Sequence, residues 1–204
     1  MLIYSVRLYL YKMKIILSVI VGILLVKVSL AQSELLSFDE NNKYIYYQVV
    51  NMPEISADTL HYRSLMFLKK EYPKLKLKTN NPNELSGQGQ FLTYGGISIL
   101  KHEKGAITYI LNIEFKDQKY RYWLTGFTFT PYERDRYGNF VPRRGIDIPL
   151  ETASSKLDKK DVDSYLNETG TFCKQFSENL KQYIIKAPAL KKAEIIKKAV
   201  PDKW

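Results

Sequence analysis

The chain has 204 residues, with 31 Lys and Arg against 21 Asp and Glu, a formal charge of +10 and 16 tyrosines. This is enough for one domain with a substantial core plus extensions. One cysteine excludes a disulfide framework or a cysteine-based zinc site, and the two histidines, His61 and His102, lack metal-ligand spacing.

The basic excess sits at the ends. Four Lys/Arg and no acid precede residue 32, and six lysines against Glu194 and Asp202 lie from Lys186 onward. The body between is close to neutral, which argues against a nucleic-acid surface, since that requires a clustered basic face.

Taken in order, residues 13–31 carry the three parts of a secretory signal: Lys12 and Lys14, the apolar run Ile15 to Val26, and small residues at Ser29 and Ala31 before Gln32. The run is shorter than the roughly 20 residues of a membrane span, and Met13 is an alternative start. The expectation is a protein exported to the periplasm or beyond the cell, in three parts: an N-terminal extension and signal peptide (1–31), a single α+β domain (32–187) and a basic helical tail (188–204).

Lys43 to Val50 reads as a strand. Ser56 is placed to cap a helix from Ala57 to about Lys70, with Asp58 in its first turn. Tyr62, Leu65, Met66 and Leu68 share its apolar face, with His61 at the boundary as a packed ring rather than a ligand. Lys74 to Lys78 alternates as a lysine-guarded edge strand. Leu85 to Tyr94 is the next strand. Its Gly87 and Gly89 indicate a bulge or a close backbone approach rather than a phosphate loop. His102 and Glu103 are expected in a solvated loop.

The centre is a hairpin, Lys104–Phe115 and Lys119–Thr130, turning at Asp117-Gln118. Ile107, Tyr109, Leu111, Ile113 and Phe115 recur at period two. A two-residue turn sets Lys116 opposite Lys119, Glu114 opposite Arg121 and Leu111 opposite Leu124. Uninterrupted alternation then groups Ala106, Thr108, Ile110, Asn112 and Glu114 with Phe129, Phe127, Thr125, Trp123 and Arg121. That second face is either covered or a ligand platform. On the platform reading, Trp123 and Phe127 are the anchors and Arg121 and Glu114 the polar handles.

Pro131 to Gly145 is expected to be a long loop. Its Arg134, Arg136, Arg143 and Arg144 either hold an anion or pair locally with Glu133 and Asp135. Lys156 to Leu166 is expected to be partly helical, followed by a separate helix from Thr171 to about Lys186. Asn167-Glu168-Thr169 fits a glycosylation acceptor. Cys173 lies in the second helix's apolar stripe, as a buried, inert thiol. Leu190, Ala193, Ile196 and Val200 oppose lysines in the tail, which reads either as a frayed terminus or as a weak contact for an anionic membrane surface.

FDENNKYIYYQVV, SADTLHYRSLMFLKKEYP, LSGQGQF, YRYWLTGFTFT and TFCKQFSENLKQYI together resemble an exported bacterial family of unknown function described as having a TATA-box-binding-protein-like fold. The resemblance implies an α+β fold in the order strand, helix, strands, helix, with helices packed on one face of a curved antiparallel sheet. It implies no activity, cofactor, metal or site residue, and a fold name alone does not make a DNA binder. The function expected is a non-enzymatic module for an unknown protein or small ligand of the cell envelope. The alternative is a hydrolase with paired carboxylates drawn from Glu114, Asp117, Asp135 and Asp147, which would need two of them close together in a site that separates their pKa values.

Overall fold

The computed structural model describes residues 35–95 and 102–187. The signal-sequence and tail readings lie outside these residues. Among the described residues, no helix is long and apolar enough to cross a membrane.

The strands are β1 (Ser37–Phe38), β2 (Tyr44–Asn51), β3 (Lys76–Asn81), β4 (Glu84–Gly95), β5 (His102–Lys116), β6 (Lys119–Arg134), β7 (Phe140–Pro142) and β8 (Ile148–Pro149). Helix α1 (Ala57–Glu71) follows β2. A 3-10 turn (Leu150–Ser155) precedes helix α2 (Lys159–Lys186). The strands form an open antiparallel sheet in the order β1-β2-β6-β5-β4-β3, with β7 and β8 paired to β6. Both helices pack on one side, as the resemblance implied.

The covered side is the core. Ile107, Tyr109, Leu111, Ile113 and Phe115 of β5 meet Leu60, Phe67 and Leu68 of α1 and Cys173, Phe176, Leu180 and Ile184 of α2 in one buried cluster. Rings dominate the helix–sheet seam: Phe172 stacks on Phe91 with centroids 4.3 Å apart, and Tyr165 stacks on Phe129 at 4.2 Å. Each fully buried side chain of this size contributes about 1.5–3 kcal/mol.

Helix α1 begins as its sequence requires. Ser56 accepts from the Thr59 N–H at 3.4 Å, and the Ala57 N–H donates to Asp117 Oδ1 at 2.9 Å. The hairpin tip therefore supplies a second cap. This accounts for an Asp-Gln turn that two-residue hairpins do not favour. Gln118 takes a positive φ of 63°, its N–H donates to the Ile55 carbonyl and its carbonyl accepts from Met52, so the loop before α1 clamps the turn.

The pairing Lys116–Lys119, Glu114–Arg121 and Leu111–Leu124 is as counted from the turn. Beyond Ile110–Thr125 the register shifts, and Thr108 lies opposite Thr128. Gly126, at φ +63°, inserts one extra residue as a bulge. Every later residue of β6 changes face. Phe127 and Phe129 therefore continue the buried row of Tyr120, Tyr122 and Leu124, and the expectation that Phe127 shares the open face with Trp123 is corrected.

Close approach explains Gly89, where a Cβ would collide with the Tyr109 hydroxyl. His102 and Glu103 belong to β5 rather than to a loop. The 131–145 segment is largely a second hairpin: β6 runs on to Arg134 and pairs with β7, because Asp135 Oδ1 accepts from the N–H groups of Tyr137 and Asn139 and so closes the turn. The two expected late helices are one helix. The weak helix formers Asn167, Thr169 and Gly170 are held in it because Thr169 and Gly170 face the core, and the Thr169 hydroxyl donates to the Tyr165 carbonyl at 2.7 Å. The threonine of the glycosylation triplet is thus fully buried.

Candidate functional site

Among the described residues, the face of the sheet away from the helices carries an organised cluster at the hairpin end. Three strands build it by register. Val49 of β2 lies opposite Arg121 of β6, which lies opposite Glu114 of β5, which lies opposite Glu84 of β4. The next row is Tyr47, Trp123, Asn112 and Ser86.

Arg121 organises these rows. Its Nε donates to Glu114 Oε2 at 2.7 Å and its Nη2 approaches the same oxygen at 2.6 Å, while its guanidinium carbon stands 5.8 Å from the centre of the Trp123 ring. The hydrogen bond it donates to Glu114, then one with Tyr47, raise its pKa further above an already high value. It is a fixed, oriented cation. Tyr47 and Val49 are about half exposed, and Trp123 is partly buried.

A cleft of about 250 Å³ opens beside the cluster, lined by Tyr47, Val49, Glu114, Lys116, Lys119, Tyr120 and Arg121. Lys116 and Lys119 lie directly opposite each other, and neither makes an ion pair among the described residues. The cleft therefore holds three cations against one carboxylate.

The structure brings Trp123, Arg121 and Glu114 together on the open face. It places Phe127 in the core on the opposite side, with no exposed surface. Sequence reasoning missed Tyr47 and Val49. Their strand was legible, but nothing local reveals that β2 lies beside β6. The pair Lys116–Lys119 was visible in the counted register as a like-charge pairing whose meaning depends on the surrounding surface.

The four carboxylates of the hydrolase reading are separately engaged. Glu114 holds Arg121, Asp117 caps α1, and Asp147 accepts from the Thr130 hydroxyl at 2.5 Å. Asp135 closes its turn, and its pKa is lowered chiefly by the backbone hydrogen bond from Asn139. Glu84 does face Glu114 across β4 and β5, but on an open surface where Arg121 compensates one of them. Cys173 is fully buried, and burial pushes its thiol pKa up, as befits an inert thiol. His61 packs edge-on against Phe115 and hydrogen-bonds Asn80. Three of the four loop arginines are engaged locally: Arg134 over Phe140, Arg136 over Tyr137, and Arg143 with Glu133. Among the described residues, no group of three or more His, Cys, Asp or Glu is placed to hold a metal ion.

Residues 46–130 match the family described as "Domain of unknown function (DUF4468) with TBP-like fold". The fold is similar to the crystal structure of a TBP-like protein from Parabacteroides distasonis ATCC 8503, with 16% identity, a TM-score of 0.57, and coverage of 74% of this chain and 97% of that one. It is also similar to that of a DUF4468 family protein from Bacteroides ovatus ATCC 8483, at 12% identity, TM-score 0.56, and 78% and 94% coverage. No curated protein matches the sequence.

Proposed function

We propose that this chain, which carries a DUF4468 domain with a TBP-like fold over residues 46–130, is a non-enzymatic binding module whose open sheet face takes a protein partner through an acidic side chain flanked by an apolar one. The observation that carries this reading is the pair Lys116–Lys119, without an ion-pair partner among the described residues, beside the oriented Arg121, on a cleft whose other walls are Tyr47, Val49, Tyr120 and Glu114, the last already held by Arg121. Like charges directly opposite one another destabilise a strand pair, so an anion arriving there relieves a repulsion already present in the free protein. The cleft is small and open, whereas enclosed small-molecule sites run from about 300 Å³ upward. A side chain of a larger partner fits it better than a free metabolite, with Trp123 and Tyr47 supplying the aromatic contacts typical of protein interfaces.

The test is selection from a displayed random-peptide library on the purified protein, with affinities of enriched peptides measured by fluorescence anisotropy. Enriched sequences should pair Asp or Glu with an apolar neighbour, and Lys116→Glu with Lys119→Glu should weaken them by about tenfold or more. Enrichment without acidic residues, or binding indifferent to the charge reversal, would overturn the reading.

We further infer export, on the pattern of residues 13–31. The protein recovered from its host should start at Gln32 by mass and fractionate outside the cytoplasm. An intact cytoplasmic chain would refute export without touching the binding reading.

A further inference from the structure

The two edges of the sheet are guarded differently. At one edge, β3 carries exposed Lys76 and Lys78 and a break in register between Leu77 and Thr79. Charges and bulges on an edge strand are devices that prevent pairing with other chains. At the other edge, β2 reads YIYYQVVN, with no charge, no proline and no break in its register with β6. Its cover is brief: β1 pairs only with Tyr44 and Ile45.

Past Ile45, the outer side of β2 has no strand partner among the described residues. The Met52 N–H donates to the Gln118 carbonyl at 2.7 Å, which fixes the alternation of the ladder. Val50 and Gln48 then bond towards β6, and the N–H and C=O groups of Tyr47, Val49 and Asn51 point outward. No described strand lies beside them.

We propose that a second copy of this chain adds to β2, antiparallel, about a two-fold axis through Val49. The free stretch is bounded by β1 at Ile45 and by Pro53, where the chain leaves the sheet. Centring the axis on Val49 sets each copy's Ile45 opposite the partner's Pro53, so β1 of one copy meets the point where the other turns away. Val49 then faces the partner's Val49, and Tyr47 faces the partner's Asn51. The register keeps the two open faces on the same side, because residues of equal parity are paired. Self-pairing sets no charge against its like, because the strand has none, and covers the half-exposed Val49. The result is one continuous sheet with two Tyr47–Arg121–Trp123 clusters side by side. The assembly needs no ligand in the cleft, although the seam runs along Tyr47 and Val49, which also wall it.

The experiment is sedimentation equilibrium of the purified protein over a concentration series, on wild type, Val49→Pro, Val49→Lys and, as a control, Lys78→Val. Proline at 49 removes only an outward N–H, so the β2–β6 ladder survives. Lysine at 49 instead sets two like charges together on the axis. Wild type and Lys78→Val should be dimers, and both Val49 variants should be monomers with native circular dichroism. A wild type that stays monomeric at its highest soluble concentration overturns the proposal and leaves the edge to a strand of another protein or to the residues preceding Leu36. A dimer that persists in both Val49 variants overturns it as well.

Discussion

On its helix side, strand β6 presents Tyr120, Tyr122, Leu124, Phe127 and Phe129, all buried. On its open side the same strand presents Arg121, Trp123, Thr125, Thr128 and Thr130. Threonine suits a pleated surface without needing cover, so most of the open side meets the needs of the strand and nothing more. Trp123 breaks that pattern. A large ring on a face that no described helix covers, beside an arginine already tied to Glu114 and Tyr47, lies outside the buried core cluster. Two aromatic residues four positions apart in one strand thus serve opposite ends: Phe127 holds the helices and Trp123 faces outward.

Substitutions can break or sharpen this contrast. Phe127→Ala removes a ring with no exposed surface and should cost about 3–5 kcal/mol in denaturant unfolding. A loss below about 1 kcal/mol would mean that the bulge does not turn Phe127 inward. Gly126→Ala forces a side chain into a left-handed conformation, with Ile110 Cδ1 3.3 Å from the new Cβ, and should cost about 1–2 kcal/mol. A stabilised variant would show that the bulge is absent in solution. Trp123→Ala should give the smallest change, under about 1 kcal/mol, as for a partly buried side chain outside the core cluster. Unfolding of that variant would move Trp123 into the core and remove the open-face reading.

These contrasts also mark how far the sequence could be read. The buried side of β5 was plain, because Ile107 to Phe115 alternate without interruption. Arg121, Glu114 and Trp123 could be placed together because their positions count back a short way from the turn at Asp117. Phe127 could not, because the count crosses Gly126, and one inserted residue exchanges the faces. A glycine between Thr125 and Phe127 was the available signal, and its weight depends on a φ angle that composition does not give. Tyr47 and Val49 were hidden for a different reason: β2 joins β6 across more than seventy residues, and no local pattern encodes that neighbour. The single long α2 escaped because burial of Thr169 and Gly170 outweighs their poor helix propensity.

The bond from the Ala57 N–H to Asp117 carries one more consequence. A helix start is usually a local affair, settled by a capping residue within the first turn. Here one of the orphan donors of α1 finds its acceptor 60 residues later in the chain. Excised as a peptide, the α1 segment keeps Ser56 but returns that donor to water. In the whole chain the first turn of α1 is complete only once a loop of that length has closed, at an entropic cost that grows with the logarithm of its length. The strands of the hairpin pair with near neighbours, although their turn is clamped in return by Met52 and Ile55. Chain order and assembly order are therefore opposed in this domain: the helix emerges first, but its beginning is finished by a turn that comes after it.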